Sequence, residues 1–162
     1  MSPLTEDEYD AFYDYSIQDY ADAKVRAGNA RLDLAEQVAH QQTALMLTNR
    51  LAAPDQFILA IHDDALDAML GYLWWGVGEL SAIRVANLHF ISILESYRRH
   101  GHATQALRLF EEKARETGLT EMRLFVFRHN ARTLNLYTEM GYYDVGKTIA
   151  KRNAIQPGDT QR

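Results

Sequence analysis

The chain has 162 residues, 47% of them apolar, no cysteine and a formal net charge of −5. That length fits one domain with a real core, and the missing cysteines exclude disulfides, a thiol nucleophile and thiolate metal ligands. The acidity argues against sequence-independent nucleic-acid binding, and the lack of 18 consecutive apolar residues argues against a spanning helix.

Thr5-Glu6-Asp7-Glu8 is a capping box, so a helix is expected from about Glu6, with Tyr9, Phe12, Tyr13, Ile17, Tyr20 and Ala21 as its apolar stripe. Gly28-Asn29 should end it, and a second helix should follow from about Arg31. Phe57 to Ile61 reads as a strand, Asp63 to Asp67 as a turn, and Met69 to Trp75 as its hairpin partner. Gly76-Val77-Gly78 reads as another turn, and Leu80 to Leu94 as one long strand or two joined by a bend. A helix is expected over His102 to Thr117, closed by Gly118, and a strand over Glu121 to Phe127. Asn130 can cap a short helix over Ala131 to Met140, ended by Gly141. Tyr142 to Arg152 should form a last strand or hairpin, with residues 153–162 as a frayed tail, which makes 1–152 a single domain. Early strands followed by βα units point to an α/β (α+β) mixed sheet with helices on both faces.

Charge is unevenly spread. Residues 1–97 hold 15 Asp/Glu against 5 Lys/Arg, and residues 98–162 hold 7 against 12. An anionic ligand suits the second part and a cationic partner the first. The basic part opens on Tyr97-Arg98-Arg99-His100-Gly101-His102-Ala103, set between an apolar strand and a helix. The first N–H groups of a helix have no internal partner, so they can converge on a phosphate. Arg98, Arg99 and, when protonated, His100 and His102 would add positive charge, Gly101 and the small Ala103 would let backbone approach a ligand, and Thr104 can offer a hydroxyl. The spacing matches neither a Walker loop nor a three-glycine dinucleotide loop. Read alone, the turn is also what a solvated βα loop looks like.

Arg98-x-x-Gly101-x-Ala103 resembles the pyrophosphate loop of the GNAT family of acetyl-coenzyme A-dependent N-acetyltransferases. Downstream, Phe125-Val-Phe-Arg-His-Asn130-Ala-Arg-Thr-Leu-Asn-Leu-Tyr137-Thr-Glu-Met-Gly141-Tyr142 resembles that family's second signature, and together the two blocks cover residues 86–145 in the family's order and separation. The resemblance implies the GNAT fold, a mixed sheet splayed between its two middle strands with the pantetheine arm of acetyl-CoA lying between them. It implies cofactor contacts from backbone groups of Ile91, Ile93 and Leu94, from Arg98 to Thr104, and from Asn130, beside the latter's capping role. It implies that Tyr137 is the general acid for the leaving thiolate, the alternative being a tyrosine packed on the sheet with its hydroxyl at the surface. The Ile91 N–H would polarise the thioester carbonyl. No metal is implied, and a homodimer is common in the family.

A general base is not evident. The positions where relatives carry a carboxylate hold Asn87, Phe90 and Ser92, and Phe125 stands where others carry Glu or His. Glu79, His89, Glu95, His129 and water remain as candidates. The first helix carries Glu6, Asp7, Glu8, Asp10, Asp14, Asp19 and Asp22 against Lys24; it is either a solvated face or a field that draws a cationic amine. Of Trp74 and Trp75, adjacent on one strand, one should be core and the other could wall the acceptor pocket. The expectation is a cytoplasmic N-acetyltransferase with a primary-amine acceptor on a small molecule or peptide. A protein N-terminal or lysine acetyltransferase, or a non-catalytic acyl-CoA sensor on the same scaffold, are the alternatives. No nucleic acid or membrane partner is expected.

Overall fold

A computed structural model describes residues 1–28 and 31–146. In chain order these form β1 (Ser2–Pro3), α1 (Glu6–Arg26), α2 (Leu32–Met46), β2 (Gln56–Asp63), β3 (Ala68–Leu80), β4 (Ile83–Ile93), α3 (His102–Glu116), β5 (Met122–Leu124) and α4 (Ala131–Glu139). The sheet order is β1-β2-β3-β4-β5. The first four strands are antiparallel neighbours, and β5 joins β4 in parallel, so the sheet is mixed.

Two of the helices begin on local side-chain caps. The Glu8 carboxylate accepts from the Thr5 N–H at 2.9 Å and the Thr5 hydroxyl at 2.8 Å, the capping box that starts α1. The Asn130 side chain accepts from the Thr133 N–H at 3.4 Å and starts α4. Gly28, Gly118 and Gly141 all have φ near +70 to +90° just beyond helix ends.

The two faces of the sheet carry separate cores. Tyr9 and Phe12 of α1 pack with Ile58, Ala60, Tyr72 and Trp74 on one face. Ala106, Leu107, Phe110 and Ala114 of α3 pack with Leu70, Leu73, Trp75 and Leu88 on the other, joined by Tyr137 of α4. Strand alternation sends Trp74 and Trp75 to opposite faces, and both are buried, at 5% and 3% exposure. Trp74 donates to the Gln56 side chain at 2.8 Å, and Trp75 stacks on Phe57 with centroids 4.3 Å apart.

Three sequence expectations are corrected. Gly76-Val77-Gly78 is not a turn but the interior of β3, where a Cβ at Gly76 would run into the Gln56 side chain and one at Gly78 into Asn87. The reversal lies at Ser81-Ala82, both at positive φ, closing a two-residue hairpin between Leu80 and Ile83. The strand expected over Glu121 to Phe127 is only Met122–Leu124. Residues 142–146 take no regular secondary structure; the remainder of the last expected strand and the tail lie outside the described residues.

Candidate active site

The hairpin register places a β-bulge in the middle of β4. Trp74 pairs with Phe90 but Trp75 pairs with Leu88, which leaves His89 as the extra residue. The parallel ladder to β5 ends at the same point, with Leu88 opposite Leu124 as its last pair. Past the bulge, β4 continues to Ile93 without β5 beside it. The Leu94 N–H is bonded to the Leu70 carbonyl at 2.8 Å, so alternation turns the backbone groups of Ile93 and Ile91 away from β3 and toward the gap. The end of β4 thus has no strand partner on the β5 side among the described residues, the arrangement that can take an added extended chain. Leu94 differs from its two neighbours: its carbonyl also accepts from the Tyr97 N–H at 2.9 Å, so both of its backbone groups are paired.

The gap leads into the basic turn. Arg98 donates from Nε to the Ile93 carbonyl at 2.7 Å. Arg99 has φ 71° and Gly101, the residue before α3, has φ 83°. Holding a non-glycine residue there costs about 1–2 kcal/mol, so the turn is strained by its own shape. The space that a Gly101 Cβ would point into is empty out to 4 Å. His100 reaches the Tyr97 carbonyl at 3.4 Å, and its ring lies 5.9 Å from that of His102. Ala103 packs against the α3-side core, with Thr104 beside it in the first turn of α3.

Tyr137 belongs to the same apolar cluster as Ile91, Ile93 and Ala103. It is 7% exposed, and burial pushes its hydroxyl up to about 12. The Tyr142 ring lies 5.6 Å away, with its hydroxyl buried. Tyr137 and the two strand residues thus share one side of the sheet, whereas the Asn130 side chain is occupied by its cap.

The base candidates fare differently. Glu79 sits opposite Arg84 near the hairpin tip, seven residues along β4 from Ile91 and so roughly 23 Å from the gap. Glu95 is exposed beside the turn. His129 is exposed and stacks on Phe127 at 5.7 Å. His89, the bulge residue, is exposed, and its ring lies 4.8 Å from that of Trp74. Crowding by protein atoms lowers its imidazole to about 4, so it is neutral at physiological pH.

Helix α1 crosses the gap from above. Phe12 meets Phe90 at 6.2 Å, the Tyr15 hydroxyl bonds the Ser92 hydroxyl at 2.9 Å, and the Tyr20 ring reaches Phe127, beyond β5, at 6.0 Å. Nothing in the apolar periodicity of α1 signals that its second half bridges two strands; the Tyr15–Ser92 pairing follows only from the register.

The Acetyltransferase (GNAT) family model matches residues 8–142. The chain is 30% identical to the uncharacterized N-acetyltransferase YdgE of Bacillus subtilis over 142 residues, which is 88% of this chain and 90% of YdgE. It is 26% identical to a second B. subtilis N-acetyltransferase, YycN, covering 94% of this chain and 97% of that one. The crystal structure of YycN superposes with a TM-score of 0.87 at 25% identity, over 95% of this chain and 98% of that one. An aminoglycoside antibiotic 6′-N-acetyltransferase from Acinetobacter haemolyticus shares the fold, with a TM-score of 0.56 at 18% identity and coverage of 96% and 98%. The chain belongs to the GNAT family of acetyltransferases. It is an acyltransferase, and the family's acyl donor is acetyl-CoA.

Proposed function

We propose that this protein transfers the acetyl group of acetyl-CoA directly to a primary amine of a small molecule or peptide, without an acyl-enzyme. The observation that carries the reading is the end of the β4–β5 ladder at Leu88 while β4 runs on to Ile93 and into a basic turn at the start of α3. On this reading an extended amide-bearing arm meets the N–H and C=O of Ile91 and the N–H of Ile93, whose carbonyl is held by Arg98, and a diphosphate meets Arg98, Arg99, His100, His102, Thr104 and the first amides of α3. Leu94, paired on both sides, contributes position more than hydrogen bonds. Asn130 keeps its cap on α4.

When bound, the thioester supplies an activated acyl carbon. The Ile91 N–H, on the open side, is placed to polarise the carbonyl. Tyr137, kept protonated by burial, donates its proton to the departing sulfur. The amine must lose a proton to attack; His89 is neutral but too weak a base to take it from an alkylammonium, so water or the acceptor's own equilibrium does this.

The acceptor on this reading is cationic, supported by the excess of acid over base in residues 1–97. An assay of acetyl-CoA consumption against cationic, neutral and acidic amines of similar size tests it. Cationic amines should win at low salt, and their advantage should shrink as the Debye length falls below about 10 Å. Tight coenzyme A binding with no transfer to any amine would favour an acyl-CoA sensor. Transfer to peptide amines alone would favour a protein acetyltransferase.

A further inference from the structure

Helix α1 and β4 meet on the sheet face opposite α3. Strand alternation sends Phe90 and Ser92 of β4 to that face, paired with Trp74 and Tyr72 of β3, while Ile91 and Ile93 go to the other. Phe12 and Tyr15 of α1 meet the Phe90 ring at 6.2 and 6.1 Å, and Tyr15 also lies 5.8 Å from the Tyr72 ring. These are ring contacts. The exception is the pair of hydroxyls of Tyr15 and Ser92, 2.9 Å apart, which is the hydrogen bond that joins α1 to β4 among the described residues. Both residues are half-buried.

Ser92 follows Ile91, so their Cα atoms are about 3.8 Å apart. On the acetyltransferase reading above, the Ile91 N–H holds the thioester carbonyl oxygen, and Tyr137 protonates the sulfur from the α3 side of the sheet. An amine ready to attack has its nitrogen about 3–3.5 Å from the acyl carbon. With Tyr137 on one face, the α1 face is left for that nitrogen. Ser92 carries the side chain next to the polarising N–H on that face. Tyr15 lies outside both sequence blocks that carry the family resemblance.

We propose that Tyr15 is a positioning residue for the acceptor amine, acting through the Ser92 hydroxyl, which accepts one N–H of the attacking nitrogen. This rests on the acetyltransferase reading and deepens it. A serine hydroxyl has one proton and two lone pairs. When Ser92 donates to the Tyr15 oxygen, its proton is turned toward α1 and its lone pairs are left for the amine. That contact holds one N–H of the neutral amine and leaves the nitrogen lone pair for the acyl carbon. The lone pair forms the C–N bond while the carbonyl π pair moves to oxygen. The oxygen pair returns as the C–S pair leaves with sulfur, which takes the Tyr137 proton. The surplus proton on nitrogen goes to water, from which Tyr137 is replenished. Ser92 and Tyr15 keep their protons throughout, so the pair orients the amine without acting as a base.

The test uses n-butylamine as the probe, with protein saturated in acetyl-CoA. Tyr15→Phe and Ser92→Ala should each lower kcat by about 10-fold, with coenzyme A affinity unchanged. The double variant should lose no more than either single one, because each removes the same orienting unit. Ser92→Thr, which keeps the hydroxyl, should restore most of the rate. Tyr13→Phe, which removes an α1 hydroxyl that reaches His40 on α2, should leave it unchanged. A second readout does not depend on turnover. With coenzyme A bound, n-butylamine should shift the Cζ resonance of isotope-labelled Tyr15, and the shift should vanish in Ser92→Ala. Additive losses, or a full rate in either single variant, overturn the proposal, as does a Tyr15 resonance that saturating amine leaves in place. Loss of coenzyme A affinity in both single variants would make the pair a brace between α1 and β4, and overturns it too. A Ser92-dependent shift with no acetyl transfer to any amine would leave the amine contact standing and remove the enzymatic reading instead.

Discussion

Arg98 donates from Nε to the carbonyl of Ile93 at 2.7 Å, tying the basic turn to the last residue of the open strand edge. One face of the guanidinium is spent on the backbone, and its two terminal nitrogens remain for an anion. A lysine carries the same charge but cannot serve both partners at once. Arg98→Lys should therefore weaken coenzyme A binding by about 10-fold, measured by calorimetry, and Arg99→Lys by distinctly less. Equal losses would mean that only the charge of the pair matters.

Gly101 should be sensitive for reasons of backbone conformation and charge. It has φ 83° and empty space where a Cβ would point. Gly101→Asn, which tolerates the left-handed region, should fold and bind coenzyme A with a modest loss. Gly101→Asp, similar in shape but negative beside the proposed diphosphate, should abolish binding. Near-normal affinity in a folded Gly101→Asp protein would place the diphosphate elsewhere.

Tyr137→Phe keeps the buried ring and removes its proton. Turnover should fall by roughly 10²-fold with coenzyme A affinity little changed. With its hydroxyl held at about 12, Tyr137 stays protonated throughout the working range. Activity should then rise with pH as the amine loses its proton, with no descending limb from Tyr137 below about pH 11. A limb near pH 9 that Tyr137→Phe removes would contradict this assignment.

Much of this arrangement was legible in the sequence, and its limits have physical causes. The helices were readable because Thr5, Glu8, Asn130 and the glycines after them are local signals, decided within a turn of chain. The basic turn and Tyr137 stood out only through their resemblance to the two GNAT signatures, and the roles given to them are proposals that the variants above test. The hairpin was misread at Gly76 and Gly78 because glycine marks both a turn and a close cross-strand contact, and only the facing Gln56 and Asn87 decide which. The opening itself had no periodic signal. The β4–β5 ladder ends beside one extra residue, His89, and a bulge is a property of the pair of strands.

His89 also affects stability. Its imidazole is lowered to about 4 in the folded protein, against an ordinary value near 6.5. Below about pH 6.5 the unfolded chain takes up a proton that the folded chain refuses, so stability is lost as pH falls from 6.5 toward 4. His89→Gln should flatten the fall in melting temperature between pH 7 and pH 4, and should leave the neutral-pH activity profile in place. A retained acid-induced drop would assign it to other groups.

Amide hydrogen exchange with and without coenzyme A tests the account most directly. The Ile91 and Ile93 N–H groups face the gap, whereas the Leu94 N–H is already bonded to the Leu70 carbonyl. Coenzyme A should slow exchange at Ile91 and Ile93 and at the first amides of α3, with much less change at Leu94. Unchanged exchange at Ile91 and Ile93 under saturating coenzyme A, with protection appearing elsewhere on the molecule, would contradict it.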